Sequence, residues 1–258
     1  MKHQDGSEGD TNYSVIGKSY SKYRQPEPRI AAMITEGLVG AQSILNVGAG
    51  AGSYEPPDRD VTAVEPSASM RAQRPKHLSA AIEATAEHLP FPDKNFDASM
   101  ATFTVHQWSN LDAGLSEMRR VTRGPILILT CNPTEVQRFW LNEYAPGVLE
   151  TEARRYPSMQ SIRNGLKTEI EIRPVPIPLA CRDGFNEAYY GRPEILLEAD
   201  ARLSCSAWSF VDNQVASAYI DKLQNELRTG IWDKKYGYLR QTPEYIGSLY
   251  LIISCGEA

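Results

Sequence analysis

The sequence predicts an α/β fold of the doubly wound type, in which helices cover both faces of a mostly parallel sheet. Two observations support this prediction. Short apolar segments alternate along the chain with segments of helical periodicity, as they do in strand–helix–strand units. A glycine-rich turn follows the first apolar segment and a carboxylate ends the second, which is how sheets of this class build ligand sites.

The predicted strands are short, apolar and bounded by turn residues. Pro174 and Pro176 close the sixth strand and favour a position at the sheet edge, because proline cannot donate a ladder hydrogen bond. Strands are predicted at residues 43–47, 61–64, 79–85, 96–102, 125–130, 169–175 and 249–254.

Helices are predicted before, between and after these strands. After Pro133 the alternation with strands stops, and residues 134–166 and 180–240 are expected to be mostly helical. Within the second of these stretches, Asp212 is a candidate N-cap and Gly230 a candidate stop. Apolar residues at helical spacing are Ile30, Met33, Ile34 and Leu38, then Leu111, Leu115 and Met118, and finally Val215, Tyr219, Leu223 and Leu227.

Composition and charge exclude several classes of function. The chain has 258 residues and a formal net charge of −5, so nucleic acid is not an expected partner. Neither a long apolar span nor the apolar core of a signal peptide is present, which favours a cytoplasmic protein without a membrane partner. The four cysteines are isolated, so we predict reduced thiols and no metal site.

The glycine-rich turn is the first functional pattern. Gly48, Gly50 and Gly52 follow the first strand with the spacing GxGxG, and glycine lets a ligand lie directly on the main chain. The dinucleotide fingerprint GxGxxG places its third glycine one residue later. The turn therefore predicts a nucleotide site of another kind, with a purely structural turn as the alternative.

Glu65 ends the second strand. A carboxylate at this position can accept hydrogen bonds from both hydroxyls of a ribose. The alternative is that the acid braces the start of the following helix.

Three further segments carry a family resemblance. The run Thr85-Ala-Glu-His-Leu-Pro-Phe-Pro-Asp-Lys-Asn-Phe-Asp97 resembles a signature of class I (Rossmann-like) S-adenosylmethionine-dependent methyltransferases that act on small molecules. Phe103-Thr-Val-His-Gln-Trp108 and Leu115-Ser-Glu-Met-Arg-Arg-Val121 resemble their next two motifs. The resemblance covers residues 13–133, and it implies methyl transfer from S-adenosylmethionine to a small-molecule acceptor, with S-adenosylhomocysteine as product.

The resemblance also implies the architecture. The expected sheet is Rossmann-like and seven-stranded with an antiparallel last strand, and a helical insertion near the C-terminus separates the final antiparallel pair. We expect a disordered leader at residues 1–12 and one domain over 13–258. Its parts are a cofactor-binding core at 13–133, acceptor-side insertions at 134–248 and a closing strand at 249–254.

Cofactor contacts are implied position by position. Gly48 to Gly50 would run beneath the methionine part, Glu65 would hold the ribose, and Met70 would pack on the adenine. Arg24 would pair with the cofactor carboxylate, because a guanidinium fork suits a planar anion. The full set is Tyr20, Arg24, Gly48, Ala49, Gly50, Glu65, Pro66, Met70, Thr85, Ala86, Glu87, Thr102 and Phe103.

Two positions depart from the family pattern. Thr85 stands where the family often has Asp, and Glu87 could instead cap or brace that loop. Asn46 stands where the family more often has an acid.

His106 is the candidate catalytic base, because it follows the fourth predicted strand and histidine titrates near neutral pH. The alternatives are a structural histidine or catalysis by proximity alone. Aromatic residues of the predicted insertions and of the segment around His106 could line an acceptor pocket or simply form core. They are Trp108, Trp140, Tyr144, Tyr189, Tyr190, Trp208 and Phe210.

Three other functions remain open at this point. A protein or RNA methyltransferase is opposed by the acidic balance and the lack of basic patches. A nicotinamide-dependent oxidoreductase is opposed by the glycine spacing. A non-catalytic protein that binds S-adenosylmethionine fits the same motifs as the enzyme. The acceptor and the oligomeric state are not predicted.

Overall fold

One mixed sheet forms the centre of the computed structural model, which describes residues 22–38 and 40–254. The strands of this part are Ser43–Val47 (β1), Asp60–Val64 (β2), Ala98–Thr102 (β3), Ile126–Cys131 (β4), Ile170–Pro174 (β5), Ile177–Pro178 (β6), Glu244–Tyr245 (β7) and Leu249–Ser254 (β8). Its α-helices are Pro28–Gly37 (α1), Ala68–Arg71 (α2), Leu111–Val121 (α3), Pro133–Val136 (α4), Pro146–Arg155 (α5), Met159–Leu166 (α6), Ala199–Leu203 (α7), Asn213–Arg228 (α8) and Ile231–Tyr236 (α9).

The order of the main sheet is β2-β1-β3-β4-β8-β5. The first four strands in this order are parallel, and β8 runs antiparallel to both of its neighbours, β4 and β5. Strands β6 and β7 form a separate two-stranded sheet. The Rossmann-like class and the antiparallel closing strand are therefore confirmed.

The third predicted strand, at residues 79–85, is reduced to a single bridge. Ile82 donates to the Ala63 carbonyl at 2.8 Å and accepts from the Glu65 N–H at 3.0 Å, and no further ladder forms. The side chain of Ile82 is 40% exposed. The segment therefore stays outside the ladder, and the main sheet has six strands where seven were expected.

The crossover from β1 to β2 contains no helix. Residues 48–59 form successive turns, and they include three glycines and the pair Pro56-Pro57. Glycine and proline are the two residue types that cost a helix most. The long helical crossover of the parallel half is α3, between β3 and β4.

Helices nevertheless cover both faces of the sheet. On one face, α3 and α6 pack over the β4 residues Ile126 and Ile128. On the other, Ile30 and Ile34 of α1 and the buried residues of the segment 133–248 pack over Leu127 and Leu129. The alternation along β4 therefore matches the period of two that a strand covered on both faces requires.

The segment 133–248, which we call the insertion, contains the strands β5, β6 and β7. Its other elements are short helices and 3₁₀ turns of five residues or fewer around the long helix α8. Asp212 caps α8 as predicted, because its carboxylate accepts from the Gln214 N–H at 2.8 Å. The predicted apolar face of α8 is only partly buried: Leu223 is fully buried, whereas Val215 is 42% exposed. Among the described helices, none is both long and apolar enough to cross a lipid bilayer.

Candidate cofactor and acceptor sites

A cavity of about 850 Å³, which we call the cofactor cavity, lies where β1, β2 and β3 reach their carboxyl ends. Every residue of the predicted cofactor set that the structure describes lines it: Arg24, Gly48, Ala49, Gly50, Glu65, Pro66, Met70, Thr85, Ala86, Glu87, Thr102 and Phe103. Tyr20 lies outside the described residues. Sequence reasoning missed seven further lining residues: Ala51, Ser53, Tyr54, Thr104, Gln107, Trp108 and Asp183.

Main chain forms the floor of this cavity. Gly48 and Gly50 have φ angles of +69° and +52°, in the left-handed region that favours glycine. A Cβ atom at Gly48 would lie 2.1 Å from Thr104 Oγ1, so no side chain fits there. The missing side chain at Gly48 thus lets Thr104 approach the main chain, and Gly48, Ala49 and Gly50 all line the cavity.

Glu65 stands on the wall of the cavity. One carboxylate oxygen accepts from the Gly50 N–H and the other from the Ser67 N–H, both at 2.8 Å. Ser67 is the N-cap of α2. The acid therefore braces the start of the helix and lines the cavity at once, so that the two readings of the sequence are compatible.

At the expected adenine end of the cavity, packing holds Met70 and hydrogen bonds hold Glu87. Met70 is buried, and its terminal methyl lies 3.3 Å from the position of a Cβ at Gly50. Glu87 accepts from the Ser109 hydroxyl at 2.9 Å and the Asn110 N–H at 3.0 Å, which is the bracing alternative of the sequence analysis. Burial acts to raise the pKa of Glu87, but these bonds outweigh it and lower that pKa.

The expected methionine end contains an ion pair that the sequence did not reveal. Arg24 Nε donates to Asp183 Oδ1, and the Tyr54 hydroxyl donates to Asp183 Oδ2 at 2.8 Å. Arg24 was expected to pair with the cofactor carboxylate, and here it has a protein carboxylate beside it. Asp183 comes from the insertion, far along the chain, and lies in no motif.

A second cavity of about 520 Å³ adjoins the first, and we call it the acceptor cavity. It shares Arg24 and Phe103 with the cofactor cavity. Phe103 adopts the left-handed φ of +53° directly after β3, and its ring centroid lies 5.3 Å from that of Phe185. The remaining lining residues are His106, Glu152, Arg155, Tyr156, Asn186, Ser204, Cys205, Ser206 and Ala207.

His106 lines the acceptor cavity and not the cofactor cavity. It lies in the 3₁₀ turn Val105–Gln107 after β3, and its ring centroid is 4.6 Å from that of Tyr156. Burial, together with the positive charges of Arg155 and Arg24, holds the pKa of His106 well below 6.5. The imidazole is therefore neutral at physiological pH.

Glu152 is the carboxylate of the acceptor cavity. It accepts from Asn186 Nδ2 at 2.7 Å, and Asn186 in turn accepts from Trp208 Nε1 at 3.0 Å. Burial raises the pKa of Glu152. This chain of bonds fixes the carboxyl group at the cavity wall.

Most of the aromatic residues considered for an acceptor pocket do not line it. Of the seven, only Trp108 lines either of these cavities, and it lines the cofactor cavity. Trp140, Tyr144 and Tyr190 are buried together with Trp232, and the rings of the two tryptophans are 5.3 Å apart. Large rings contribute most when fully buried, which explains why they form the core of the insertion.

Neither thiol chemistry nor a metal centre is indicated in the described residues. Cys131, Cys181 and Cys205 are buried and form no disulfide. Burial raises the pKa of the Cys131 thiol well above its usual range, so it is unsuited to nucleophilic attack. Within residues 22–38 and 40–254, no cluster of three or more His, Cys, Asp or Glu side chains has the proximity to bind a metal ion.

Known proteins resemble this chain in both sequence and structure. Residues 45–125 match the family model described as a methyltransferase domain. A crystal structure from Anabaena variabilis ATCC 29413, described as a candidate methyltransferase from an antibiotic biosynthesis pathway, is 30% identical, with a TM-score of 0.84. That similarity covers 91% of this chain and 99% of the other.

Two further similarities are more limited. The ubiquinone/menaquinone biosynthesis C-methyltransferase UbiE of Cupriavidus pinatubonensis is 44% identical over 46 residues, which is 17% of this chain and 19% of that protein. Phosphoethanolamine N-methyltransferase 2 of Haemonchus contortus, solved in complex with S-adenosyl-L-methionine, shares the fold at 15% identity and a TM-score of 0.51. That likeness covers 96% of this chain and 58% of the other.

The sequence motifs, the strand order and the glycine floor all indicate a methyltransferase. The Anabaena variabilis structure, which is matched over 99% of its length, indicates the same. The chain belongs to the class I S-adenosylmethionine-dependent methyltransferase family, and its cofactor is S-adenosylmethionine.

Proposed function

We propose that this chain transfers the methyl group of S-adenosylmethionine to a small molecule bound in the acceptor cavity. The observation that carries the proposal is the contact between the two cavities, which share Phe103 and Arg24. A methyl group can pass between two ligands only if they adjoin in one enclosed site.

The acceptor cavity favours a small molecule over a protein or RNA. It is a recess between the turn after β3 and elements of the insertion, and its lining includes Glu152, Asn186 and Ser204. Phe185, Cys205 and Ala207 are buried parts of its wall, so a folded macromolecule would have little room to enter. The net charge of −5 also disfavours a polyanion.

Each end of the cofactor cavity has an assigned role in this proposal. The glycine floor and Arg24 hold the methionine part, Glu65 holds the ribose, and Met70 packs on the adenine. Thr102 and Phe103 lie beside the sulfonium, and Thr85, Ala86 and Glu87 form the adenine edge.

The chemistry needs alignment and one proton acceptor. The cofactor supplies a methyl group that its sulfonium already activates for displacement. Phe103 and Phe185 keep water from the space between the cavities. His106 accepts the acceptor's proton in its neutral form, and Glu152 orients the acceptor through a hydrogen bond.

A label-transfer experiment tests the proposal. The protein is incubated with S-adenosylmethionine carrying a labelled methyl group and with an extract, which is then separated into small-molecule, RNA and protein fractions. We expect the label in the small-molecule fraction. Label in RNA or protein would refute the small-molecule assignment, and binding of S-adenosylhomocysteine without any transfer would favour a non-catalytic protein.

A variant that fills the acceptor cavity links the transfer to that cavity. Ser206→Phe places a ring among the lining residues, so label transfer should be lost while S-adenosylhomocysteine binding remains. Ser206→Ala removes only the hydrogen bond that Ser206 accepts from Arg155 at 2.9 Å, and should retain transfer. Ser209→Phe adds the same ring at an exposed position of the same 3₁₀ turn and should behave like wild type.

A further inference from the structure

We propose that Asp183 binds the α-ammonium group at the amino-acid end of the cofactor, while Arg24 binds its α-carboxylate. The two side chains would thus recognise the zwitterion as a unit. This inference rests on the proposed function for the placement of the methionine part over the glycine floor, and it adds a residue from the insertion to the cofactor site.

Asp183 has the right position and surroundings. It lines the cofactor cavity together with Arg24 and Tyr54. Its side chain is 3% exposed, and that of Arg24 is 11% exposed. Charges so removed from water interact strongly with a ligand that enters the same space.

The backbone around Asp183 is fixed in advance of binding. The Gly184 N–H donates to the Tyr23 carbonyl at 2.8 Å, and the Arg182 N–H donates to Glu27 Oε2 at 3.0 Å. A Cβ at Gly184 would lie 2.0 Å from the Tyr189 hydroxyl, so this approach of two segments requires glycine. Asp183 therefore lies in a segment, residues 182–184, that backbone hydrogen bonds hold in place at the cavity.

Tyr54 connects the segment around Asp183 to the glycine-rich turn after β1. It ends the glycine turn with a left-handed φ of +63°, and its buried hydroxyl donates to Asp183. The carboxylate is thereby held beside the stretch of main chain that lies beneath the methionine part.

Other carboxylates are unsuited to the ammonium group. Asn46, at the position where an acid was expected, is an amide that donates to Glu55 Oε1 at 3.0 Å. Glu55 itself forms a two-pronged pair with Arg74 at 2.9 and 3.0 Å and does not line the cavity. The other lining acids in the described chain are Glu65 and Glu87. The proposed function assigns Glu65 to the ribose and Glu87 to the adenine edge.

The charge pattern matches a zwitterion. Among the described lining residues, Arg24 is the one cationic side chain, and Asp183 lies directly beside it. A ligand with an adjacent ammonium and carboxylate can place each group next to its opposite charge without leaving either protein charge unbalanced.

The first test compares Asp183→Asn with wild type by calorimetric titration. S-adenosylhomocysteine carries the amino-acid end, whereas 5′-methylthioadenosine lacks it. We expect the variant to bind S-adenosylhomocysteine about 10- to 100-fold more weakly, as for a lost charge-assisted hydrogen bond, and to bind 5′-methylthioadenosine within about 2-fold of wild type. Equal losses for both ligands, or no loss for either, would overturn the proposal.

The second test separates the two charges of the ligand. A decarboxylated analogue of S-adenosylhomocysteine keeps the ammonium, and a deaminated analogue keeps the carboxylate. Asp183→Asn should weaken only the first, and Arg24→Gln should weaken only the second. If both variants weaken the same analogue, the assignment of the charges is wrong.

Folding and function are controlled separately. If Asp183→Asn does not fold, as judged by circular dichroism, Asp183→Glu keeps the charge but displaces it, and the selective loss for S-adenosylhomocysteine should persist. Asp183→Glu with wild-type affinity for both ligands would contradict the proposal. Label transfer by wild type is measured independently, so a failure of the proposed function and a failure of this inference give different results.

Discussion

The cofactor cavity and the acceptor cavity are walled by different kinds of structure. In residues 43–131 the cavity floor is main chain, made bare by Gly48 and Gly50. Gly48, Glu65 and Phe103 directly follow β1, β2 and β3. In the insertion the wall consists of side chains such as Glu152 and Asn186, carried by short helices and 3₁₀ turns. A floor of main chain suits one ligand shared by a whole family, whereas side chains on irregular elements can differ from member to member.

The largest expected effect is in the main-chain floor. Gly48→Ala forces a Cβ into Thr104, so we expect kcat/KM to fall on the order of 100-fold, together with the affinity for S-adenosylhomocysteine. Gly40→Ala is the matched control: its φ is +72°, but nothing lies within 4 Å. It should cost about 1–2 kcal/mol of stability and leave binding unchanged. If Gly48→Ala and Gly40→Ala weaken S-adenosylhomocysteine binding equally, the main chain at Gly48 has no particular role in binding.

A second prediction concerns the base in the acceptor cavity. His106→Asn should lower kcat about 100-fold or more and leave S-adenosylhomocysteine binding intact. Because the pKa of His106 lies well below 6.5, the wild-type kcat at pH 6 should equal that at neutral pH. A histidine with an unperturbed pKa would be only about a quarter neutral at pH 6, and kcat would fall accordingly. A loss below about 3-fold in the variant would assign His106 a structural role.

A third prediction sets one carboxylate from each cavity against the other. Glu65→Gln should weaken S-adenosylhomocysteine binding about 10- to 100-fold and leave the acceptor KM unchanged. Glu152→Gln should leave cofactor affinity unchanged and raise the acceptor KM about 10-fold. Both exchanges keep the shape of the side chain, and titration and steady-state kinetics separate them. If both variants affect the same ligand, the division between the two cavities is incorrect.

The last prediction concerns the stability of the insertion and not ligand binding. Burial raises the pKa of Glu187 to about 8, and its carboxyl group accepts from the Ser248 N–H at 2.9 Å. A raised folded-state pKa means that the folded protein holds a proton which the unfolded chain releases near pH 4.5. Its stabilising contribution is therefore complete below pH 4.5 and is lost as the pH rises to about 8.

Urea unfolding of wild type and Glu187→Gln at several pH values checks this. The difference in free energy of unfolding between the two proteins should change by up to about 1.4 kcal/mol per pH unit between pH 4.5 and about 8. Outside that range the difference should not vary with pH. A difference that does not vary with pH would show that Glu187 titrates normally.

The described residues of the predicted cofactor set line one cavity because local rules bring them together. A glycine that needs a positive φ and an acid at a strand end are visible in a few consecutive residues, as at Gly48 and Glu65. The partnership of Arg24 and Asp183 joins residues 159 positions apart, and no periodicity connects them. The loss of the strand at 79–85 and the burial of Trp140 depend on how distant elements pack, which local patterns do not report.

The absence of a helix at residues 48–59 affects the electrostatic field in the cofactor cavity. A helix beginning there would point its positive end at the ligand, as pyrophosphate sites require. Turns take its place, and the charged side chains around the ligand in the described chain comprise three carboxylates and one guanidinium. The field in this compartment thus attracts a cation. Methyl transfer removes the positive charge from sulfur, so this field attracts the product less strongly than the substrate.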